Sequence, residues 1–145
     1  VKAGMSNHLL HASMLYAKLC EQIEQSEKQM YWPQPHWDDA RSHAIAAVVL
    51  STAALEASIN ELFQQAIDKD KNALASITDS QFVLLVELWN EVESFKILKK
   101  YQIALSATNR KPMLEGEEPY QSASLLVTLR NAIVHFKPEW DDKLK

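Results

Sequence analysis

Glycine is scarce in this chain, with 2 occurrences among 145 residues. A β-sandwich or β-barrel of this length needs many tight turns, and most of those turns use glycine. The loops that cradle phosphates in Walker and Rossmann nucleotide sites are also rich in glycine. The scarcity therefore argues against both all-β folds, and it excludes both nucleotide motifs.

Cysteine occurs once, as Cys20, so an internal disulfide is excluded. A single cysteine fits a reducing compartment, and we expect a cytoplasmic protein. Long hydrophobic runs are missing too, because polar residues interrupt the most apolar stretch, residues 44–59. That stretch is too short and too polar to predict a membrane span, and no secretory signal opens the sequence.

Basic residues are outnumbered, with 15 lysines and arginines against 19 acidic residues and a net charge of −4. Such a chain has no overall positive field for nucleic acid. The basic residues are unevenly placed, however, since residues 94–114 hold five of them and no acid. The length fits one domain, which we place at residues 5–140, with residues 1–4 and 141–145 outside it.

Apolar residues recur at helical spacing along most of the chain. The predicted helices cover residues 5–30, 38–67, 78–107 and 120–136. Thr78 and Gln81 have capping-box spacing at the start of the third region, which is either one helix or two with a bend near Asn90. With short connections, these elements predict an all-α fold, an antiparallel up-and-down bundle of four or five helices.

The first two predicted helices are separated by Pro33 and Pro35, which break the helical pattern. Three aromatic residues flank these prolines: Tyr31, Trp32 and Trp37. They either fold back onto the body of the protein or form an exposed binding surface.

Two predicted helices carry polar residues on or beside an apolar face. Glu56 and Asn60 lie one turn apart on the second helix, and an unpartnered polar group there would be costly. The last helix has a polar row at spacing 4-3-4 beside its apolar core row. The polar row is Ser124, Thr128, Asn131 and His135, and the core row is Leu126, Leu129, Ile133 and Phe136.

The residues offer little for metal or nucleophile chemistry. His8 and His11 stand three residues apart, which allows weak metal binding, but no acidic ligand stands beside them. Cys20 has no clear histidine partner for a thiol protease, and no serine triad can be identified. We therefore expect no metal site and no cofactor.

The distinctive segment of the last helix is Arg130-Asn131-Ala132-Ile133-Val134-His135. It resembles the signature of the HEPN family, small all-helical proteins of which many are RNase toxins or defence effectors. That signature is Arg-x4-6-His in the last main helix, often with asparagine, aspartate or histidine directly after the arginine. Other segments that look like one prokaryotic branch are Ala54-Leu55-Glu56-Ala57, Asn60-Glu61, Lys100-Tyr101-Gln102 and Leu129-Arg130-Asn131. The resemblance covers residues 40–140.

The resemblance implies a metal-independent endoribonuclease that cleaves RNA at a homodimer cleft and leaves a 2′,3′-cyclic phosphate. His135 fits the base for the 2′-hydroxyl, because imidazole titrates near neutral pH. Arg130 offers a bidentate fork to the phosphate charge, and Asn131 positions the phosphate or the histidine. An antitoxin partner is also implied. Family members controlled through a tyrosine two positions after the histidine differ from this chain, which has Lys137 there.

The spacing within the motif has a geometric consequence. Arg130 and His135 lie about 140° apart around an ideal helix, so one helix alone does not aim both at one phosphate. The length of arginine helps, and so would two copies of the helix facing each other across a two-fold axis, the homodimer that the resemblance implies. Arg130 also falls on an apolar row, and we expect Glu56 to pair with it and Asn60 to hydrogen-bond nearby. The candidate RNA contacts are Lys96, Lys99, Lys100 and Lys137.

Two other functions compete with the endoribonuclease. A catalytically inactive HEPN-like module would use the same residues to bind nucleotide, RNA or a partner protein. A plain helical interaction protein would use them structurally, because cations in the last turns favour the helix dipole and an Arg130–Glu56 pair can set the register of two helices. The presence of Arg130, Asn131 and His135 together favours the endoribonuclease.

Overall fold

The computed structural model of the chain describes residues 4–27 and 37–137, which form five α-helices. The helices are α1 (Met5–Glu27), α2 (Trp37–Ile67), α3 (Asp79–Val92), α4 (Ile97–Ala107) and α5 (Tyr120–Val134). No strand occurs within these described ranges, so the predicted all-α class is confirmed. Residues 28–30 of the predicted first helix and residues 31–36 of the aromatic loop lie outside the described residues.

The third predicted region is two helices, α3 and α4, separated by residues 93–96. Its start is as predicted, because the Thr78 hydroxyl accepts the Gln81 N–H while the Gln81 side chain accepts the Thr78 N–H. The break follows Val92 rather than Asn90. There the Phe95 N–H turns back to the Val92 carbonyl at 2.9 Å, which ends the regular helical pattern before α4 begins.

The best-buried part of the fold gathers around the second half of α2. Ile59, Phe63 and Ala66 of α2 belong to a core cluster shared with α3 and α4. The fully buried ring of Phe63 lies 5.3 Å from the Trp89 ring, centroid to centroid. The cluster is completed by Leu74, Phe82, Leu85, Val92, Ala104 and Ala107. Burial of these apolar side chains holds the three helices together.

α1 lies antiparallel to α2, because its start meets the end of α2. Ser6 bonds to Glu61 there, and further along α1 the Tyr16 ring lies 5.7 Å from the ring of His43. α1 contacts none of the other described helices. Among the described helices α1 therefore packs against α2 alone, while the second half of α2 carries the core.

α5 is distinguished among the described helices by its lack of a buried interior face. It contacts α2 and α4 but has no buried residue. Leu125, Leu129 and Phe136 are 69%, 46% and 74% exposed. The predicted core row is therefore wrong at Leu129 and Phe136, whereas Leu126 and Ile133 are half-buried. The reason is that α5 rests on its neighbours along one side, so its apolar row is only partly covered.

Within the described residues, α2 is the one helix long and apolar enough to cross a membrane by length and composition. On that criterion, the expectation that this region is too short and too polar for a span is wrong. A mostly buried core helix of a soluble protein passes the same test; α2 contacts all four other described helices, and 17% of its most apolar window is buried.

Glu61 of α2 caps the first turn of α1. One carboxylate oxygen accepts the Ser6 N–H at 2.9 Å, and the other accepts the Ser6 hydroxyl at 2.6 Å. Desolvation by burial raises the pKa of Glu61, but the hydrogen bonds from Ser6 and the Met5 backbone outweigh it, so the pKa is lowered overall. A carboxylate at a helix N-terminus is also favoured by the helix dipole.

We expect Glu61→Gln to lower the free energy of unfolding at pH 7 by about 1 kcal/mol, the usual worth of an N-terminal cap. Because the pKa is lowered in the folded state, this stabilisation is present above the pH where a free glutamate titrates, about 4.3. It is lost as the pH falls through the folded-state pKa. Urea unfolding of both proteins between neutral and acidic pH measures the effect.

The two stability curves should converge in acid. The control is Glu87→Gln, which changes an exposed carboxylate on α3 and should alter stability by less than about 0.5 kcal/mol. A difference between wild type and Glu61→Gln that stays constant with pH contradicts the capping role.

Candidate functional site

The three motif residues lie at the end of α5. Arg130 and Asn131 belong to the helix, while His135 is its C-cap residue with φ −106° and ψ 25°. The His135 N–H still donates to the Asn131 carbonyl at 2.9 Å. Its imidazole is exposed and has no hydrogen-bond partner among the described residues. His135 therefore stands where the chain leaves the helix, open to an incoming group.

A cavity of about 790 Å³ opens between the start of α4 and one side of α5. Arg130 and Asn131 line it together with Ser124 and Thr128. Three of the four residues of the predicted polar row thus face one space. The fourth, His135, does not line it. Within one chain, the structure brings Arg130 and Asn131 together at the cavity and leaves His135 outside it.

The start of α4 forms another wall of the cavity. Lys96 is the N-cap residue of this helix, and no side chain caps it. Lys96 and Lys99 both line the cavity and are exposed. The Lys99 ammonium lies 4.6 Å from the centroid of the Phe95 ring, within the range of a cation–π contact. Two ammonium groups and the positive end of a helix dipole therefore meet at this wall.

Glu56 lines the same cavity as Arg130, but no ion pair joins these two described residues. Glu56 is exposed, and Arg130, a half-buried residue, donates no side-chain hydrogen bond within the described residues. The predicted buried Arg130–Glu56 pair is therefore wrong. The reason is that Glu56 is on the open side of the cavity and exposed to solvent, so it is not driven to pair with Arg130.

Lys100 is buried, with 3% of its surface exposed. Its ammonium donates to the side-chain oxygen of Asn60 at 3.0 Å and lies 5.6 Å from the centroid of the Trp89 ring. Asn60 is thus hydrogen-bonded, but its partner is Lys100 rather than a group beside Arg130. The RNA contact predicted for Lys100 is wrong, because its ammonium lies inside the bundle between α2, α3 and α4.

The spacing of apolar residues along α4 already indicates that Lys100 is buried. Lys100 falls on the row Ile97, Lys100, Ala104 and Ala107, whose other members are also buried. A lysine at this spacing among apolar residues indicates an interior ammonium that needs an acceptor. Lys137, the remaining candidate RNA contact, is exposed just after α5.

Other reactive groups lie apart from this site. No group of three or more histidine, cysteine or carboxylate side chains gathers in the described ranges. His8 and His11 are exposed on α1. The Cys20 sulfur lies 3.7 Å from the Glu24 carboxylate, and partial burial together with this negative charge raises the pKa of the thiol. Cys20 is therefore a poor nucleophile at neutral pH.

Comparison of the chain with family models, with curated proteins and with solved structures finds no match. The HEPN resemblance therefore stays a prediction from the motif. The residues that line the cavity indicate which ligands it suits. Its charged residues are three cations and two carboxylates: Lys96, Lys99, Arg130, Glu56 and Glu115. Hydroxyl and amide groups of α5 complete the lining. This combination suits an anionic ligand that also carries hydrogen-bond donors.

We expect Asn60→Leu to lower the free energy of unfolding by about 2 kcal/mol, because it leaves the Lys100 ammonium buried without its acceptor. Removing the ammonium as well should recover much of the loss, since Asn60→Leu with Lys100→Met replaces a buried polar pair by apolar groups. Urea unfolding of wild type, the two single variants and the double variant gives the coupling energy.

The matched control is Asn90→Leu, which changes an exposed amide on α3. Its effect on stability should stay below about 0.5 kcal/mol. The stability losses of the two single variants should not simply add in the double variant. If they do add, the Asn60–Lys100 hydrogen bond is contradicted.

Proposed function

We propose that this protein is a metal-independent endoribonuclease of HEPN type that acts as a homodimer. The observation that carries the proposal is the Arg130–Asn131–His135 motif on α5. Its first two residues line a cavity whose charged residues are three cations and two carboxylates, and its third is exposed at the helix end. A toxin or phage-defence effector fits this activity, with an antitoxin protein as a possible partner. The lone Cys20 supports a cytoplasmic location.

The chemistry requires a base and a charge-stabilising cation. His135 takes the proton of the RNA 2′-hydroxyl, and the freed oxygen attacks the adjacent phosphorus. The bond from phosphorus to the 5′-oxygen breaks, and that oxygen takes a proton from water as it leaves. Arg130 donates hydrogen bonds to the non-bridging oxygens, where negative charge develops. Asn131 positions the phosphate, and the product is a 2′,3′-cyclic phosphate.

The open face of α5 supports a second copy of the chain as the partner. Leu125 and Leu129 lie one turn apart on this helix and are exposed, and Phe136 follows at its end. Exposed apolar rows of this kind are typical of interfaces. Pairing two α5 helices through this row puts the last helix of each chain at the two-fold axis, as the homodimer proposal requires.

A catalytically inactive module that binds nucleotide or RNA is the second candidate function. One observation favours it: within a single chain the cavity contains Arg130 but not His135. Such a site binds a phosphate without any base beside it. Cleavage assays separate the two functions, because only the endoribonuclease depends on His135.

We expect wild type to cleave single-stranded RNA in the presence of EDTA. His135→Ala should reduce the cleavage rate at least about 100-fold, because general acid–base groups contribute about 10²–10⁴. Arg130→Ala should cost about 10²–10³ through loss of charge stabilisation. Gel analysis of labelled RNA measures the rates, and enzymatic end analysis identifies the cyclic phosphate.

His11→Ala is the control, since His11 is exposed on α1 outside the described cavity. Circular dichroism should show an intact fold for all variants, including Arg130→Ala, because Arg130 forms no ion pair with Glu56. If His135→Ala cleaves RNA as fast as wild type, the assigned catalytic site is wrong. Binding of nucleotide without any cleavage by wild type favours the inactive module.

We also expect a solution mass of twice 16.5 kDa at micromolar concentration, measured by light scattering after size exclusion. Leu129→Glu should shift the protein toward the monomer, because it places a charge in the exposed apolar row of α5. Val83→Glu, which changes an exposed valine on α3, should leave the dimer intact. A wild-type monomer, or a dimer indifferent to Leu129→Glu, contradicts this interface.

A further inference from the structure

We propose that α1 is a second self-association surface, through which it pairs antiparallel with the α1 of another copy of this chain. The contact is separate from the dimer interface on α5, and it does not depend on the ribonuclease assignment. It joins α5 dimers into larger assemblies. The pairing surface, called the α1 seam, consists of Asn7, Leu10, Met14, Ala17 and Glu21.

The position of the seam on α1 gives the first argument. Its residues follow a 3-4-3-4 spacing, which keeps them on one side of the helix, and all of them are exposed. Leu10 is 49% exposed and Met14 is 54% exposed. The seam lies about 100° around the helix from the row that α2 covers, because each seam residue comes one position after a member of that row. The covered row is Ser6, Leu9, Ser13, Tyr16 and Cys20.

The absence of charge along this part of the fold gives the second argument. Residues 5–17 of α1 contain no aspartate, glutamate, lysine or arginine, and neither do residues 42–55 of α2. The two stretches lie side by side, as the contact between the Tyr16 and His43 rings shows. An outer helix of a monomeric bundle usually carries charged residues on its solvent side. Exposed apolar side chains in an uncharged surrounding are typical of the core of a protein interface.

The order of the residues in the seam selects a second copy as the partner. A two-fold axis beside Met14 sets that residue against its own counterpart, Leu10 against Ala17, and Asn7 against Glu21. A large side chain then meets a small one, and the flexible methionines fill the centre. The Asn7 amide can donate to Glu21, whose carboxylate accepts one bond from Gln25 and has a second oxygen available.

The same seam disfavours a parallel arrangement. Parallel pairing sets Glu21 of one copy against Glu21 of the other, and two like charges at contact distance repel. It also sets Leu10 against Leu10 and Ala17 against Ala17, which crowds one layer and leaves a gap in the next. The seam is therefore complementary to itself in the antiparallel direction alone.

The size of the seam indicates a weak contact. Residues 7–21 extend over about 21 Å of helix, and the seam and its neighbours are fewer than the roughly 20–30 residues a side of a stable complex. We expect pairing at protein concentrations on the order of 0.1 mM, and the α5 dimer alone at lower concentrations. Because α1 contacts α2 alone among the described helices, pairing leaves the cavity and the motif on α5 open.

Cysteine crosslinking tests the contact in the full chain, with Cys20→Ser removing the native thiol. Met14→Cys in this background should form a disulfide-linked pair under copper–phenanthroline oxidation, because pairing holds the two thiols together. The matched control is Leu15→Cys, which is equally exposed, at 53%, but points about 100° away. The Met14→Cys chains should link at least about tenfold faster than the control, whose thiols meet by collision. Non-reducing electrophoresis measures both rates.

The register is tested by mixing Asn7→Cys chains with Glu21→Cys chains in the same background. Antiparallel pairing predicts mixed disulfides between the two kinds of chain, with little linking of either kind to itself. Light scattering at about 0.1 mM gives an independent measurement, in which wild type should exceed the mass of two chains. Met14→Glu should abolish this excess, because it places like charges at the centre of the seam, while Leu15→Glu should retain it.

Faster linking by Met14→Cys than by Leu15→Cys supports the seam, provided that it persists when Leu129→Glu is added to break the α5 dimer. Equal linking rates overturn the proposal, and linking of each register variant mainly to itself overturns the antiparallel arrangement. Sedimentation with phosphatidylcholine vesicles that Met14→Glu abolishes assigns the seam to a lipid surface and also overturns the pairing. A dimer that depends on Leu129 without any pairing of α1 contradicts this inference alone. Pairing of α1 in a protein whose mass is indifferent to Leu129→Glu contradicts the α5 dimer alone.

Discussion

A buried ammonium sets the geometry on which the candidate site depends. Lys100 donates to Asn60 of α2 and lies against the Trp89 ring of α3, so three helices meet at one charge. Because a buried charge without an acceptor is costly, α4 cannot slide or rotate without giving up this bond. Lys96 and Lys99 lie on the same helical segment within about one turn. Their position at the cavity wall follows from this anchor.

Packing is unevenly distributed around that anchor. The tightly packed apolar core and the motif residues lie on different helices. The large apolar side chains gather where the second half of α2 meets α3 and α4. α5 carries the motif and contributes no buried residue. Rigid elements therefore hold one wall of the cavity, while the helix with Arg130 and Asn131 keeps an open outer side. A site arranged in this way can be completed by another molecule, whether RNA or a second chain.

The sequence predicted which residues line the site better than it predicted which residues they contact. The polar row of α5 predicted that Ser124, Thr128 and Asn131 share a face, and these residues do line one cavity. The pairing of Arg130 with Glu56 is wrong, because helical spacing gives the direction of a side chain around its own axis and not the distance to the next helix. The prediction that Lys100 contacts RNA rests on its place in the basic segment 94–114, whereas its position in an apolar row indicates an interior ammonium.

By itself, the sequence determined the all-α class and the start of α3, because these depend on residues within a turn or two of each other. The reciprocal cap of Thr78 and Gln81 spans three residues. Tertiary structure decided which polar groups are interior and which helix stays open. The bond from Lys100 to Asn60 joins residues 40 apart, and that from Ser6 to Glu61 joins residues 55 apart. Such contacts exist only after the helices pack, since local spacing carries no information on which distant group will fill the space beside a side chain.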